Sequence, residues 1–197
     1  MSSSLSWLGA DAGLSLLLNA EQDSGPSPLL TVLGLSMPIR QIDGSFYWEA
    51  RYMFSTTFYG YADGKAFPVE NEAADSLWTL ALEAESVLGF RFDLGEKLRM
   101  GGGFCLSALF RWPVFAVGAG ADFRADAFRY LMGRFLYTGL EMRLDWKARE
   151  TPALGFSLQG LYPFFLVWEK GDVDYWDQLI IRGTVSLRFA LSRAEEG

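Results

Sequence analysis

The sequence predicts an all-β fold, an eight-stranded antiparallel up-and-down transmembrane β-barrel. Three observations lead there. Long runs of strict period-two alternation recur along the chain, short and long connections alternate between them, and the apolar side of each run carries no charge. With 50% hydrophobic, 16% aromatic and 21% charged residues in 197, the chain is too apolar for a disordered one. No stretch approaches the roughly 18 uninterrupted apolar residues of a membrane helix, so the apolar content must be spent on strands. A single domain over 1–197 is expected, with strands within 7–191 and a short polar tail at 192–197.

The first strand sets Leu8, Ala10, Ala12, Leu14, Leu16 and Leu18 against Gly9, Asp11, Gly13 and Ser15, and 19–28 break it. The second places Thr31, Leu33, Leu35 and Met37 on one face. After a tight turn at 41–45, the third alternates Phe46, Trp48, Ala50, Tyr52, Phe54, Thr56 and Phe58 with Tyr47, Glu49, Arg51, Met53, Ser55 and Thr57. A long polar segment at 61–75 follows. The fourth opposes Trp78, Leu80, Leu82, Ala84, Leu88 and Phe90 to Thr79, Ala81, Glu83, Glu85 and Arg91, and the turn at 93–97 is short. The fifth opposes Leu98, Met100, Gly102, Phe104, Leu106, Ala108 and Phe110 to Arg99, Gly101, Gly103, Cys105, Ser107 and Arg111; a Gly- and Asp-containing loop is expected over 116–126. In the sixth, Leu136, Leu140, Met142, Leu144 and Trp146 alternate with Tyr137, Glu141, Arg143, Asp145 and Lys147. Leu154, Phe156 and Leu158 open the seventh. In the eighth, Leu179, Ile181, Val185, Leu187, Phe189 and Leu191 face away from Arg182, Thr184, Ser186 and Arg188.

Connections are long after the first, third, fifth and seventh strands and short after the second, fourth and sixth, which puts all long loops at one end of a meander. With no helix to cover it, such a meander must close, or two edges and a whole face stay unpaired or wet. A soluble lipid-binding barrel would turn the apolar rows inward. A membrane barrel turns them outward, where a charge at the bilayer midplane costs about 2–4 kcal/mol. The polar rows are rich in Gly and paired acids and arginines, which suits a cramped lumen, and the lysines number only Lys65, Lys97, Lys147 and Lys170, too few for an ordinary water-facing surface. Aromatic residues fall at both ends of the apolar rows: Phe46, Trp48, Phe90, Phe92, Trp146, Phe156 and Phe189 at the short turns, and Phe58, Trp78, Phe110, Trp112, Trp168 and Trp176 at the long loops. Girdles of this kind mark the two membrane interfaces.

The remaining composition excludes function classes. A net charge of −7 has the wrong sign for neutralising phosphates, so no nucleic-acid partner is expected. The single cysteine, Cys105, excludes an internal disulfide framework and a cysteine-rich metal site. There is no histidine, hence no Ser-His-Asp or Cys-His system and no imidazole base. The start, Met1-Ser2-Ser3-Ser4, lacks a basic and an apolar leader region and reads as a mature chain with a start methionine. No cofactor and no enzymatic activity are expected.

On these residues the chain resembles the small outer-membrane β-barrel proteins of diderm bacteria, the group that includes the OmpA transmembrane domain, OmpX and OmpW, over 7–191 and by architecture. The resemblance implies a bacterial outer-membrane location, both termini in the periplasm and the long loops outside the cell. That family usually ends in an aromatic residue within a C-terminal insertion signal; here Phe189 and Leu191 supply the outward alternation and the tail 192–197 runs on. Barrel acyltransferases, lipases and proteases rely on a histidine, and none is present to carry over.

Three candidate sites follow. Inward positions near the long loops, Leu17, Leu30, Val32, Leu109, Phe135, Tyr137 and Ile180, form an apolar cup. Toward the short turns Glu49, Arg51, Glu83, Glu85, Glu141, Arg143, Arg182 and Arg188 form an ion-pair network, since a charge inside a barrel must be paired or hydrated. The segment at 160–168 is apolar on both faces, and Gly160, Tyr162 and Pro163 are the candidate lateral gate, because Pro163 cannot donate to the ladder and Gly160 eases a bulge. Arg182 and Arg188 are expected to pair with acids on neighbouring strands, Glu141 and Glu83 first. OmpW-like barrels have a similar cup, which implies uptake of small hydrophobic molecules with release sideways into the bilayer. The alternative is a structural or adhesive barrel with a plugged lumen and acidic loops. Asp172, Asp174 and Asp177 have a calcium-like spacing without the full loop pattern, so no metal is expected. The expected partners are outer-membrane lipid and a small hydrophobic ligand, with the chain a monomer.

Overall fold

A computed structural model describes residues 7–18, 29–41, 45–62, 65–68, 77–115, 117–118, 120–146, 153–168 and 175–190. The strands are β1 (Trp7–Leu17), β2 (Leu29–Gln41), β3 (Phe46–Ala62), β4 (Lys65–Pro68), β5 (Leu77–Asp93), β6 (Leu98–Phe115), β7 (Leu136–Trp146), β8 (Ala153–Pro163) and β9 (Ile180–Ala190), with one α-helix, α1 (Ala121–Gly133). Every pairing is antiparallel. The order runs β2-β1-β9-β8-β7-β6-β5-β3, and β2 pairs with β3 to close eight strands into a barrel. β4 lies outside that ring and folds back on the outer end of β3, Tyr59 opposite Pro68 through Ala62 opposite Lys65.

The period-two pattern places the faces. Leu14, Leu33, Leu82, Phe104, Leu140 and Leu158 point out of the barrel, Leu140 with 70% of its surface exposed, while Asp11, Arg51, Glu83, Glu141 and Arg182 are buried inside. The polar core and apolar exterior are the inverse of a water-soluble barrel. The aromatic rows stand outward at both ends, with Phe46, Trp48, Phe90, Phe92, Trp146, Phe156 and Phe189 at one and Phe110, Trp112 and Trp168 at the other. The side chains of Phe58 and Trp78 lie outside the described set, and Trp176 is partly buried.

The wall is uneven in height. β7 pairs with β6 only from Leu98 to Ala108, whereas β5 pairs with β6 up to Phe115. The extra seven residues of β6 carry that side about 23 Å further along the strand direction, at about 3.3 Å per residue. Here the sequence reading needs correction. Residues 116–126 are not all loop, because α1 begins at Ala121 and packs against this tall part of β6, and the segment at 61–75 is not all loop either, since it contains β4. Leu131 of α1 is fully buried, against the barrel's outer core of Tyr137, Leu161 and Phe165.

The one described register shift lies in β2, between Pro38 and Arg40. Proline is tolerated in a ladder at such an irregularity because it has no N–H to leave unpaired. In β8 the pairing is regular through Gly160, which faces Leu140 on one side and Ile181 on the other, so there is no bulge at Gly160.

Candidate functional site

Alternation sends one side chain in two into the lumen, and the polar ones gather on one level. β3 brings Tyr47, Glu49 and Arg51; β5 brings Glu83 and Glu85; β7 brings Glu141, Arg143 and Asp145; β8 brings Gln159, and β9 brings Arg182 and Arg188. Glycine makes room for them. A Cβ on Gly89 would lie 2.7 Å from the Tyr47 ring and one on Gly155 2.7 Å from an Asp145 carboxylate oxygen, so neither position admits a larger residue without displacing the layer.

Arg51 is the hub. Its Nε donates to Glu49 at 2.9 Å, one terminal nitrogen donates to Glu85 at 3.2 Å and also to Glu141, and the other donates to Glu141 at 2.8 Å. Arg143 holds Glu49 through both its oxygens at 3.0 Å and donates its Nε to Asp145 at 2.8 Å. Arg182 forms a two-pronged pair with Glu83, one arm at 3.1 Å, and stands 3.7 Å from Glu85. Arg188 reaches Asp145 at 3.3 Å and Glu49 at 3.5 Å, with its guanidinium 4.4 Å from the centre of the Trp7 ring.

Thus all eight residues expected in the ion-pair network meet in one cluster, and Arg182 holds Glu83 as expected, but the expected role of Glu141 and the expected neighbouring-strand geometry need correction. Glu141 goes to Arg51 and not to either arginine of β9. The pairs span the lumen: β9 and β5, joined by Arg182 and Glu83, are diametrically opposite in the ring. Sequence alternation fixes which face a residue takes, whereas stagger and closure fix whom it meets, and long arginine side chains reach past the adjacent strand.

Several members were not singled out beforehand. Gln159 donates to Glu85 at 2.8 Å and Glu141 at 3.0 Å, Ser107 donates to Glu83, and Ser186 donates to Asp11. Their inward parity was the available signal. Ligand atoms of Glu85, Cys105 and Glu141 lie within 4.8 Å of one another, a metal-like grouping. Both carboxylates already accept from Arg51 and Gln159, so the cation of this cluster is a guanidinium.

Above the layer, Leu17, Leu30, Val32, Leu109 and Ile180 line a cavity of about 30 Å³ with Glu83 and Arg182 in its lining. That is room for about two water molecules. Tyr137 is inside but packs edge-to-face on Phe165, ring centres 5.5 Å apart, and does not line the cavity. Phe135 is a correction. It is 37% exposed, outside the wall, stacked on Phe110 at 6.3 Å and near Trp168 at 6.4 Å. The chain leaves α1 through Arg134 and β7 starts only at Leu136, so the inward parity of Tyr137 does not extend back to Phe135.

The gate residues also stand differently from the expectation. Leu161 and Pro163 point inward and Tyr162 outward, so alternation continues to the end of β8. The last residues look apolar on both faces because the inner face meets the apolar core of Leu131, Tyr137 and Phe165 at that height. Pairing with β9 ends at Leu161, and a single 3₁₀ turn, Phe164–Val167, follows Pro163. Pro163 therefore ends a strand at the rim and opens no gap in the paired wall. Of the calcium-like trio, Asp172 and Asp174 lie outside the described residues, as does the tail 192–197, and Asp177 pairs with Arg134 at 3.6 Å.

The fold is that of the small outer-membrane barrels. The chain is similar to Neisserial surface protein A with a TM-score of 0.56 at 12% identity, over 94% of this chain and 97% of that one. Two further solved structures align over similar lengths: the outer membrane enzyme PagL, TM-score 0.47 at 13% identity over 94% of this chain and 99% of that one, and Ail of Yersinia pestis, 0.46 at 9% over 93% and 97%. The likeness to Neisserial surface protein A reaches the eight-stranded barrel and not a subgroup within it. No family model and no curated protein sequence matches.

Proposed function

We propose that this chain is a non-enzymatic barrel of the bacterial outer membrane, monomeric in outer-membrane lipid, with a lumen sealed by its charged layer and with its function exercised at the outer end as a structural or adhesive surface. The observation that carries this reading is the set of ion pairs spanning the lumen, in which Arg51, Arg143, Arg182 and Arg188 each hold at least one carboxylate. Desolvated charges tied in this way are costly to separate, about 3–5 kcal/mol for removal of one partner, so the layer resists opening. The absence of histidine and the engagement of every acid in the layer by a guanidinium support the non-enzymatic part. The test is planar-bilayer recording of the purified protein: no steady conductance above that of the bare bilayer is expected, and a persistent open level overturns the sealed reading.

The apolar lining of the cup, Leu17, Leu30, Val32, Leu109 and Ile180, favours a second reading, entry of small hydrophobic molecules and sideways release above the layer. That route requires the cup to widen well beyond 30 Å³ and the wall near Tyr162 and Pro163 to part. Saturable binding of a fluorescent hydrophobic probe in nanodiscs, abolished by Val32→Trp, would establish it in place of the first.

A further inference from the structure

The cavity above the charged layer is more than an apolar gap. Three of its lining residues carry buried hydrogen-bond donors with no partner: the Thr79 hydroxyl, Arg111 Nε and Arg182 Nε. All three residues are more than nine-tenths buried, with 1%, 5% and 2% of their surface exposed. Unpaired buried donors of this kind cost about 1–3 kcal/mol each, more when charged, so three around one cavity ask for an acceptor. The charges then say which kind. Arg182 is compensated by Glu83, whose carboxylate also accepts from Ser107. Arg111 is not: its terminal nitrogens donate only to the Arg134 carbonyl at 2.8 Å and to the Gln178 side-chain oxygen at 3.5 Å, both neutral, and it has no carboxylate partner among the described residues.

A water could accept from these donors but would leave the Arg111 charge uncompensated in a low-dielectric site. An anion does both. Wall chemistry narrows the class, because the cavity is small and Leu17, Val32, Leu109 and Ile180 provide no groups to replace the tightly held hydration shell of sulfate or phosphate, which favours a small, weakly hydrated anion.

We propose that this cavity is a binding site for one halide-sized monovalent anion, held by Arg111, Arg182 and Thr79. It stands whichever reading of the barrel's function holds, since a conducting lumen would refute the seal and leave the anion measurable.

The test uses the full chain in detergent or lipid. Crystals soaked in sodium bromide are expected to show an anomalous peak in the cavity within hydrogen-bond range of Arg111; water density alone at high bromide overturns the proposal. In solution, the unfolding temperature is expected to rise with the logarithm of chloride concentration by about 2–4 °C over a hundredfold range, relative to gluconate at matched ionic strength. Arg111→Gln should abolish that difference, and Thr79→Val should shift it to several-fold higher chloride. Equal unfolding temperatures in the two salts would overturn the site. The bromide experiment needs no variant, so it decides the matter even where Arg111→Gln fails to fold.

Discussion

Arg182 has 2% of its surface exposed and spends its two terminal nitrogens on Glu83. Arg182→Ala therefore strands a buried carboxylate and is expected to lower stability by about 3–5 kcal/mol, read as a depressed unfolding temperature in detergent; an unchanged temperature would mean the network does not hold the lumen together. The matched replacement Arg182→Met with Glu83→Leu should recover most of the loss, because a well-packed apolar pair needs no desolvated charge. A cycle of the two single variants and the double separates the pair energy from side-chain volume. Membership of this layer was legible in the sequence, since Glu49, Arg51, Glu83, Glu85, Glu141, Arg143, Arg182 and Arg188 all share the inward parity of their strands. Partnership was legible in part: Arg182 holds Glu83 as expected, but across the lumen and not on a neighbouring strand, and Glu141 meets Arg51 in place of an arginine of β9. Period two says in or out and carries no information on the angle around the barrel.

At the scale of elements, α1 is the part the sequence hid. Its segment, Ala121–Gly133, follows Gly118 and Gly120 and contains Asp122 and Asp126, which read as loop chemistry, and its polar and apolar residues separate weakly around the helix. The usable sign was Phe123, Ala127 and Leu131 at four-residue spacing. Leu131 is fully buried and anchors α1 to the outer core. Leu131→Ala is expected to cost about 2–4 kcal/mol locally, seen as faster amide exchange across α1 with the β-ladder amides unchanged. If exchange rises throughout the barrel, α1 is instead part of its folding core. The faces of the eight barrel strands, by contrast, were legible, because each has one face in lipid and one in a crowded lumen and a slip by one residue would invert both, while β4 and the outer ends of β3 and β6, past Phe58 and Arg111, were not. Phe135 departs from the expected inward position for the converse reason: strand parity has no meaning across a helix exit.

For the whole molecule, the exterior makes its own prediction. Leu158 stands near the middle of β8, outward and 56% exposed, so Leu158→Arg is expected to cost about 2–4 kcal/mol in reversible refolding into liposomes. A negligible effect would argue that this face is not in hydrocarbon. The lumen has a consequence in time. Arg182 and Glu83 are 99 residues apart, Arg143 and Glu49 94, and Asp11 and Ser186 175. None of these three bonds can form while the chain is an open sheet, so their groups must keep their water until the last strand zips to the first, whereas Arg51 with Glu49 and Glu85, and Arg143 with Asp145, sit on one strand or on neighbouring ones and can pair earlier. For the pairs that cross the lumen, ring closure and drying are then a single late event. Interactions made after the rate-limiting barrier act on the way out and not on the way in. Arg182→Ala should thus leave the insertion rate nearly unchanged and shorten the lifetime of the inserted barrel, making the charged layer a latch on a finished object and not a guide to its construction.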